Sequence, residues 1–299
     1  MTSAAAAATT LVIYAYSSFV SSWGVGPTLV KKFKATCQCE VKLVDAGNGG
    51  EMISRLKLEK SHLDADVIVG IDENFLPRLK DELGWKQNFT AFEKGPFAFV
   101  YNSTIVKNPP ASLDDLLKPE WKGSIALEDP RLSTVGLGFL LWVLKEKGTT
   151  EGFEYLRKFK TQIKTISPSW DLAYGLFKKK QAKLVFSYWS SPAYHIQEEK
   201  NLDFKAAAFS GGHYAQTEYM TIVPTTKNKI LAEKFLEFMR LPPAQEEIPR
   251  LNFMYPVTTG TKLTPAFLKL GTVKVLPSFS EKEVKENLGE WLKKWREIF

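Results

Sequence analysis

The segment Ser187-Tyr-Trp-Ser-Ser-Pro-Ala-Tyr-His195 crowds three aromatic rings and three serine hydroxyls into one turn. It follows Ala182-Lys-Leu-Val-Phe186, which reads as a buried strand. In an open α/β sheet, ligands gather at such strand ends. Aromatic faces with hydroxyls between them suit a flat or cationic small molecule. They do not suit acid–base chemistry, which needs titratable groups aimed at a reacting atom. The alternative is that the rings simply fill the core. A second candidate is Glu128-Asp-Pro-Arg-Leu-Ser-Thr-Val-Gly-Leu-Gly138, where Ser133, Thr134 and Gly136 bring hydroxyls and free N–H groups to the start of a helix. That arrangement can hold an anion, although serine and threonine also cap helices for structural reasons alone. No phosphate-binding glycine loop, GxGxxG, HExxH, GxSxG or CxxC pair occurs. No catalytic residue, metal or cofactor is therefore assigned, and an enzyme is the weaker reading.

The elements that would position these residues alternate between strand and helix. Leu11–Tyr16, Glu40–Val44, Ala65–Gly70 and Phe97–Tyr101 read as strands, with helices after Pro27, around Met52–Leu58 and around Phe75–Leu79. This alternation predicts an α/β fold with a parallel sheet and helices on its faces. Ser112-Leu-Asp-Asp115 has helix-capping spacing. Further strands are expected at Trp121–Leu127, Ile163–Ile166 and Thr217–Val223, with helices at Phe139–Leu144 and Ile230–Arg240 and an aromatic loop at Asn252–Pro256. In Glu283–Phe299, Leu288, Trp291, Leu292 and Trp295 form a stripe expected to face the core.

A chain of 299 residues favours two domains. Hydrophobic content of 44% and charged content of 24% are ordinary for a soluble globular protein. No apolar run reaches the roughly 18 residues of a membrane span. The net charge of +7 comes from 40 Lys+Arg against 33 Asp+Glu, with the lysines scattered, so no nucleic-acid partner is expected. Residues 1–10 are small and polar and lack the basic start and apolar centre of a signal peptide. They are expected to be a flexible segment and are left out of the fold reasoning. A bond between Cys37 and Cys39 across Gln38 would be strained, so both are expected to pack on one face of a strand start.

Taken in order, Tyr14-Ala-Tyr-Ser-Ser-Phe19, Trp23-Gly24, Cys37-Gln-Cys-Glu40 and Ala65-Asp-Val-Ile-Val-Gly-Ile-Asp72 form a familiar series. It continues through Phe97-Ala-Phe-Val-Tyr101, Asp129–Gly138, Ser187–His195 and Met254-Tyr-Pro256. The series resembles the bacterial periplasmic thiamine-binding proteins of ABC importers from Leu11 onward. The resemblance implies a type II periplasmic-binding-protein fold with two α/β lobes, the ligand cleft between them and hinge closure on ligand. Lobe one would comprise residues 11–101 and 224–299 and lobe two 102–223, with crossings near Tyr101-Asn102 and within Thr221–Pro224. It implies a thiamine-like ligand, an ABC permease partner, a monomer, and a periplasmic or extracellular location with no signal peptide in this chain. Aromatic clamps would be Tyr16, Trp23, Trp170, Tyr188 and Tyr194. A phosphate tail would meet Asn48-Gly49 and the helix start at Ser133, Thr134 and Gly136.

At several positions the chain departs from the family pattern. Ser17 and Asn48 stand where the family has aspartate, Phe253 where it has tryptophan, and Trp189 where it has a small residue. Phe92-Glu-Lys-Gly-Pro-Phe97 replaces a more aromatic, acidic version. Loss of two carboxylates should weaken affinity for a cation. The alternative is therefore the same scaffold, naturally diverged or engineered, binding another small aromatic or amine ligand. Thiamine-degrading enzymes also share this architecture, but their cysteine nucleophile has no counterpart in a cleft loop here.

Overall fold

The computed structural model describes residues 9–60, 62–86 and 88–299. Its strands are β1 Thr10–Ala15, β2 Glu40–Asp45, β3 Val67–Asp72, β4 Thr90–Asn102, β5 Ile125–Glu128, β6 Ile163–Ser167, β7 Leu184–Tyr188, β8 Phe204–Ala206, β9 Ala215–Ile222 and β10 Tyr255–Pro256. They lie in the order β2-β1-β3-β9-β4-β7-β5-β6, with β8 and β10 also paired to β4. The order contains two parallel groups, β1 with β2 and β3, and β5 with β6 and β7. The expectation of a parallel sheet is corrected between them. There β9 runs antiparallel to β3 and β4, and β4 antiparallel to β7. A strand returning from the second group enters the first in reverse.

Both faces of the first group are covered, which explains its nearly unbroken apolar runs. Leu11, Ile13 and Ala15 of β1 face one core with Phe33 and Phe235, while Val12 and Tyr14 face the other with Ile53 and Phe75. In the second half, Phe186 of β7 is fully buried. Its ring lies 5.4 Å from Phe97, 5.1 Å from Phe99 and 5.2 Å from Phe139.

β4 ties the two groups together. Its residues Thr90–Pro96 pair with β9 and its residues Phe97–Tyr101 with β7. The strand changes partner at Pro96, which has no N–H to give, while the Pro96 carbonyl accepts from Trp189 N at 2.8 Å. β9 pairs with the first half of β4 from Ala215 onward and with β3 from Glu218 onward. The C-terminal helix Glu281–Ile298 also spans both halves. Glu281 pairs with Lys80 at 2.7 Å, and Trp295 lies edge-on to Phe139 at 6.5 Å. Leu288, Trp291 and Trp295 of its stripe are buried, and Leu292 is partly so.

Two local expectations are corrected. Cys37 and Cys39 form a disulfide, their Cα atoms 5.2 Å apart. Cys37 ends the helix Val25–Cys37, and Gln38 in the left-handed conformation (φ 51°) turns the chain back, so strand alternation does not apply. Thr9 and Thr10 are ordered into the sheet, Glu40 N donating to the Thr9 carbonyl at 3.1 Å. The rest of the expected flexible segment, residues 1–8, lies outside the described residues.

Replacing Phe186 by alanine should cost about 3–5 kcal/mol in equilibrium urea unfolding. A loss below about 1 kcal/mol would show that this aromatic cluster does not carry the second half.

Candidate functional site

A cavity of about 600 Å³ opens where the parallel strands of both groups end. That is within the ordinary size range for small-molecule sites, and strand carboxyl ends are their usual place. Tyr16 follows β1, Asn48 and Gly49 follow β2, Ser133 and Thr134 follow β5, Trp170 follows β6, and Tyr188 ends β7. Trp23, Tyr194 and Phe253 complete the set of sequence-predicted residues that line it. Trp23 is 60% exposed at the rim.

The aromatic walls are held from behind. Trp170 stacks on Tyr174 at 5.0 Å and donates Nε1–H to Ser187 Oγ at 2.7 Å. Tyr188 stacks on Phe97 at 5.3 Å, and its hydroxyl accepts from Gln216 Nε2 at 2.8 Å. Tyr194 meets Phe253 edge-to-face at 5.4 Å, bringing the two halves into contact. They touch again where Gly50 N donates to the Leu132 carbonyl at 3.2 Å, an approach that a Cβ on Gly50 would block at 2.0 Å from the Arg131 oxygen.

Three expected residues do not line the cavity. Ser17 turns away to donate to Asp45 Oδ1 at 2.8 Å, and its neighbour Ser18 faces the cavity instead. Gly136 packs against β5, where a Cβ would meet the Glu128 carbonyl at 2.5 Å. Its N–H donates to Ser133 Oγ at 3.4 Å, so that serine caps the helix Thr134–Lys147. Trp189, next along from Tyr188, points to the opposite side. It is buried there against His213 at 5.4 Å, with Nε1 directed to the Gly271 carbonyl at 3.4 Å.

The floor of the cavity was missed by sequence reasoning. Glu93 of β4 and Glu218 of β9 both line it and are both buried. Tyr16 donates its hydroxyl to Glu93 Oε1 at 2.8 Å, and Asn252 Nδ2 donates to Glu93 Oε2 at 2.7 Å. Gln216 Nε2 donates to Glu218 Oε1 at 2.7 Å. Burial pushes both carboxyls above the usual range, and for Glu218 the Glu93 charge adds to the effect. The available signal was one glutamate within each of two long strands. Gly70 makes room for this arrangement. It sits at a β3 bulge with φ +95°, and its missing Cβ would fall 2.0 Å from the Tyr16 ring. In all, the lining carries Glu93, Asp171, Glu198 and Glu218 against the single ammonium of Lys178. A protein of net charge +7 thus presents an acidic cleft, and with its aromatic walls this favours a flat organic cation.

Among the described residues no cluster of His, Cys, Asp or Glu could hold a metal ion, and no helix is long and apolar enough to cross a membrane. Two sheet groups joined by long strands, with one cavity between them, define the class of two-lobed solute-binding proteins. The family model for bacterial extracellular solute-binding proteins matches residues 47–278. Within that class, thiamine-binding periplasmic proteins of Salmonella typhimurium and Brucella suis are 39% and 37% identical to this chain. They align over 96% and 98% of it and over 92% of each relative. A solved periplasmic thiamin binding protein superposes with a TM-score of 0.91 at 38% identity, covering 97% of this chain and 96% of that one. The chain belongs to this family of periplasmic thiamine-binding proteins.

Asp72, fully buried at the end of β3, is raised by burial to about 7. The folded state then holds a proton that the unfolded chain, titrating near 4, has lost. Its contribution to stability is complete below about pH 4 and is lost as pH rises through about 7, by at most about 1.4 kcal/mol per pH unit. Asp72→Asn should flatten the dependence of Tm on pH across this window and melt above wild type at pH 8. A variant that melts lower at pH 8 would contradict this.

Proposed function

We propose that this protein captures thiamine or a thiamine phosphate in the cleft, in the periplasm and as a monomer, and hands it to an ABC permease without chemical turnover. The observation that carries the reading is the pairing of aromatic walls with an acidic floor in a chain whose full-length relatives are named for thiamine. The thiazolium ring carries a fixed positive charge that the faces of Tyr16, Trp170 and Tyr188 attract, while the pyrimidine stacks. A phosphate tail would lie at the helix starts at Gly49 and Thr134, whose dipoles favour an anion.

The aspartates missing at positions 17 and 48 do not leave the cleft without carboxyl groups, because Glu93 and Glu218 line its floor. This removes the main reason to favour a different aromatic or amine ligand. The lobes consistent with the strand pairing are residues 11–96 with the chain from 215 onward, and residues 97–214, with the last helix lying across both. Closure would then turn on β4 at Pro96 and on the entry to β9.

Calorimetric titration of ligand-stripped protein should give one-to-one, submicromolar binding of thiamine or its phosphates. Trp170→Ala and Tyr194→Ala should each weaken it roughly tenfold or more. No heat of binding up to millimolar thiamine, thiamine monophosphate or thiamine pyrophosphate would overturn the reading.

A further inference from the structure

Asp72, Glu218 and Glu93 stand side by side across three neighbouring strands. The register pairs Asp72 of β3 with Glu218 of β9, and Glu218 with Glu93 of β4. They are 0%, 5% and 1% exposed. Carboxylates directly opposite one another on a sheet repel, and a buried ionised carboxylate without a cation is costly.

The other groups that face the row do not relieve it. Tyr16 leads from β1, Tyr188 ends β7, Glu128 ends β5 and Glu73 follows Asp72, and every one is neutral or acidic. Among the described residues no lysine, arginine or histidine forms an ion pair with Asp72, Glu93, Glu128 or Glu218. Lys178, the cationic side chain of the cleft, is engaged by Glu199 at 2.8 Å. Glu93 has donors on both oxygens, but Glu218 Oε2 is buried at the cavity wall without one.

We propose that the Glu93–Glu218 pair is the seat of the ligand's fixed positive charge, sharing a proton while the cleft is empty and releasing it to solvent as the cation enters. This rests on the reading of the cleft as a thiamine site and adds the chemistry of selection. One proton leaves and one organic cation arrives, so the net charge of the floor is unchanged and no covalent bond forms. Burial of both carboxyls and their mutual repulsion, with Asp72 adding to it at Glu218, hold the proton in the empty site. The incoming cation supplies the counter-charge that the fold withholds. Capture is thereby selective for a permanent cation over a neutral molecule of the same shape, and affinity rises with pH.

The test is calorimetry of the full chain with thiamine in buffers of different ionisation enthalpy, which counts protons directly. Near pH 7 thiamine binding should release up to about one proton, and affinity should rise by as much as about tenfold per pH unit where the empty pair is protonated. The neutral 3-deaza analogue of thiamine should release none and bind with little pH dependence. Glu218→Gln, checked for folding by its melting curve, should abolish proton release and lose at least about tenfold in thiamine affinity while keeping the analogue. Tight thiamine binding by wild type with no proton released and no preference over the analogue would overturn this proposal alone. Failure of thiamine and its phosphates to bind wild type would overturn it together with the functional reading.

Discussion

The register of β9 between β3 and β4 is the constraint on which the rest of the molecule depends. β9 closes the first group of parallel strands, and its pairing with the first half of β4 leaves the second half of that strand free to begin the second group. The same register sets Glu218 between Asp72 and Glu93. A slip of one residue would turn every side chain of β9 to the other face and bury the wrong set. The bulges at Gly70 and between Ala91 and Glu93 adjust the neighbouring strands so that all three carboxyls still come into line.

Around that floor the cleft divides its work by chemistry. Rings from both halves make a slot for flat ligands, with Trp170 and Tyr188 fixed by stacking and Trp170 also by a hydrogen bond from behind. Pre-set walls reduce the ordering that binding must impose. The acidic row does the opposite of ordinary core design, which pairs or excludes buried charge. An interior that holds carboxyls without a counter-ion is poised for a cation that comes and goes, as a carrier's ligand does.

Much of this was legible in the sequence. Strand and helix alternation located the elements, and the aromatic strand ends pointed to Tyr16, Trp170 and Tyr188 in the walls. The floor was not legible, since Glu93 and Glu218 lie far apart in the chain and only an antiparallel pairing brings them together. Trp189 and Ser17 were misplaced for a related reason. Each neighbours a lining residue, Tyr188 or Ser18, and backbone direction alone decides which of two adjacent side chains enters the cavity. The disulfide was missed because Cys39 was read as part of a strand, while the left-handed turn at Gln38 depends on where the preceding helix stops.

A crystal structure of the thiamine complex tests the account most directly. It should place the thiazolium ring against the aromatic walls with its charged nitrogen side within about 4–6 Å of the Glu93 and Glu218 carboxyls. A thiazolium lying at the Lys178 side of the cavity, with the carboxyl pair facing water or the neutral pyrimidine, would contradict it.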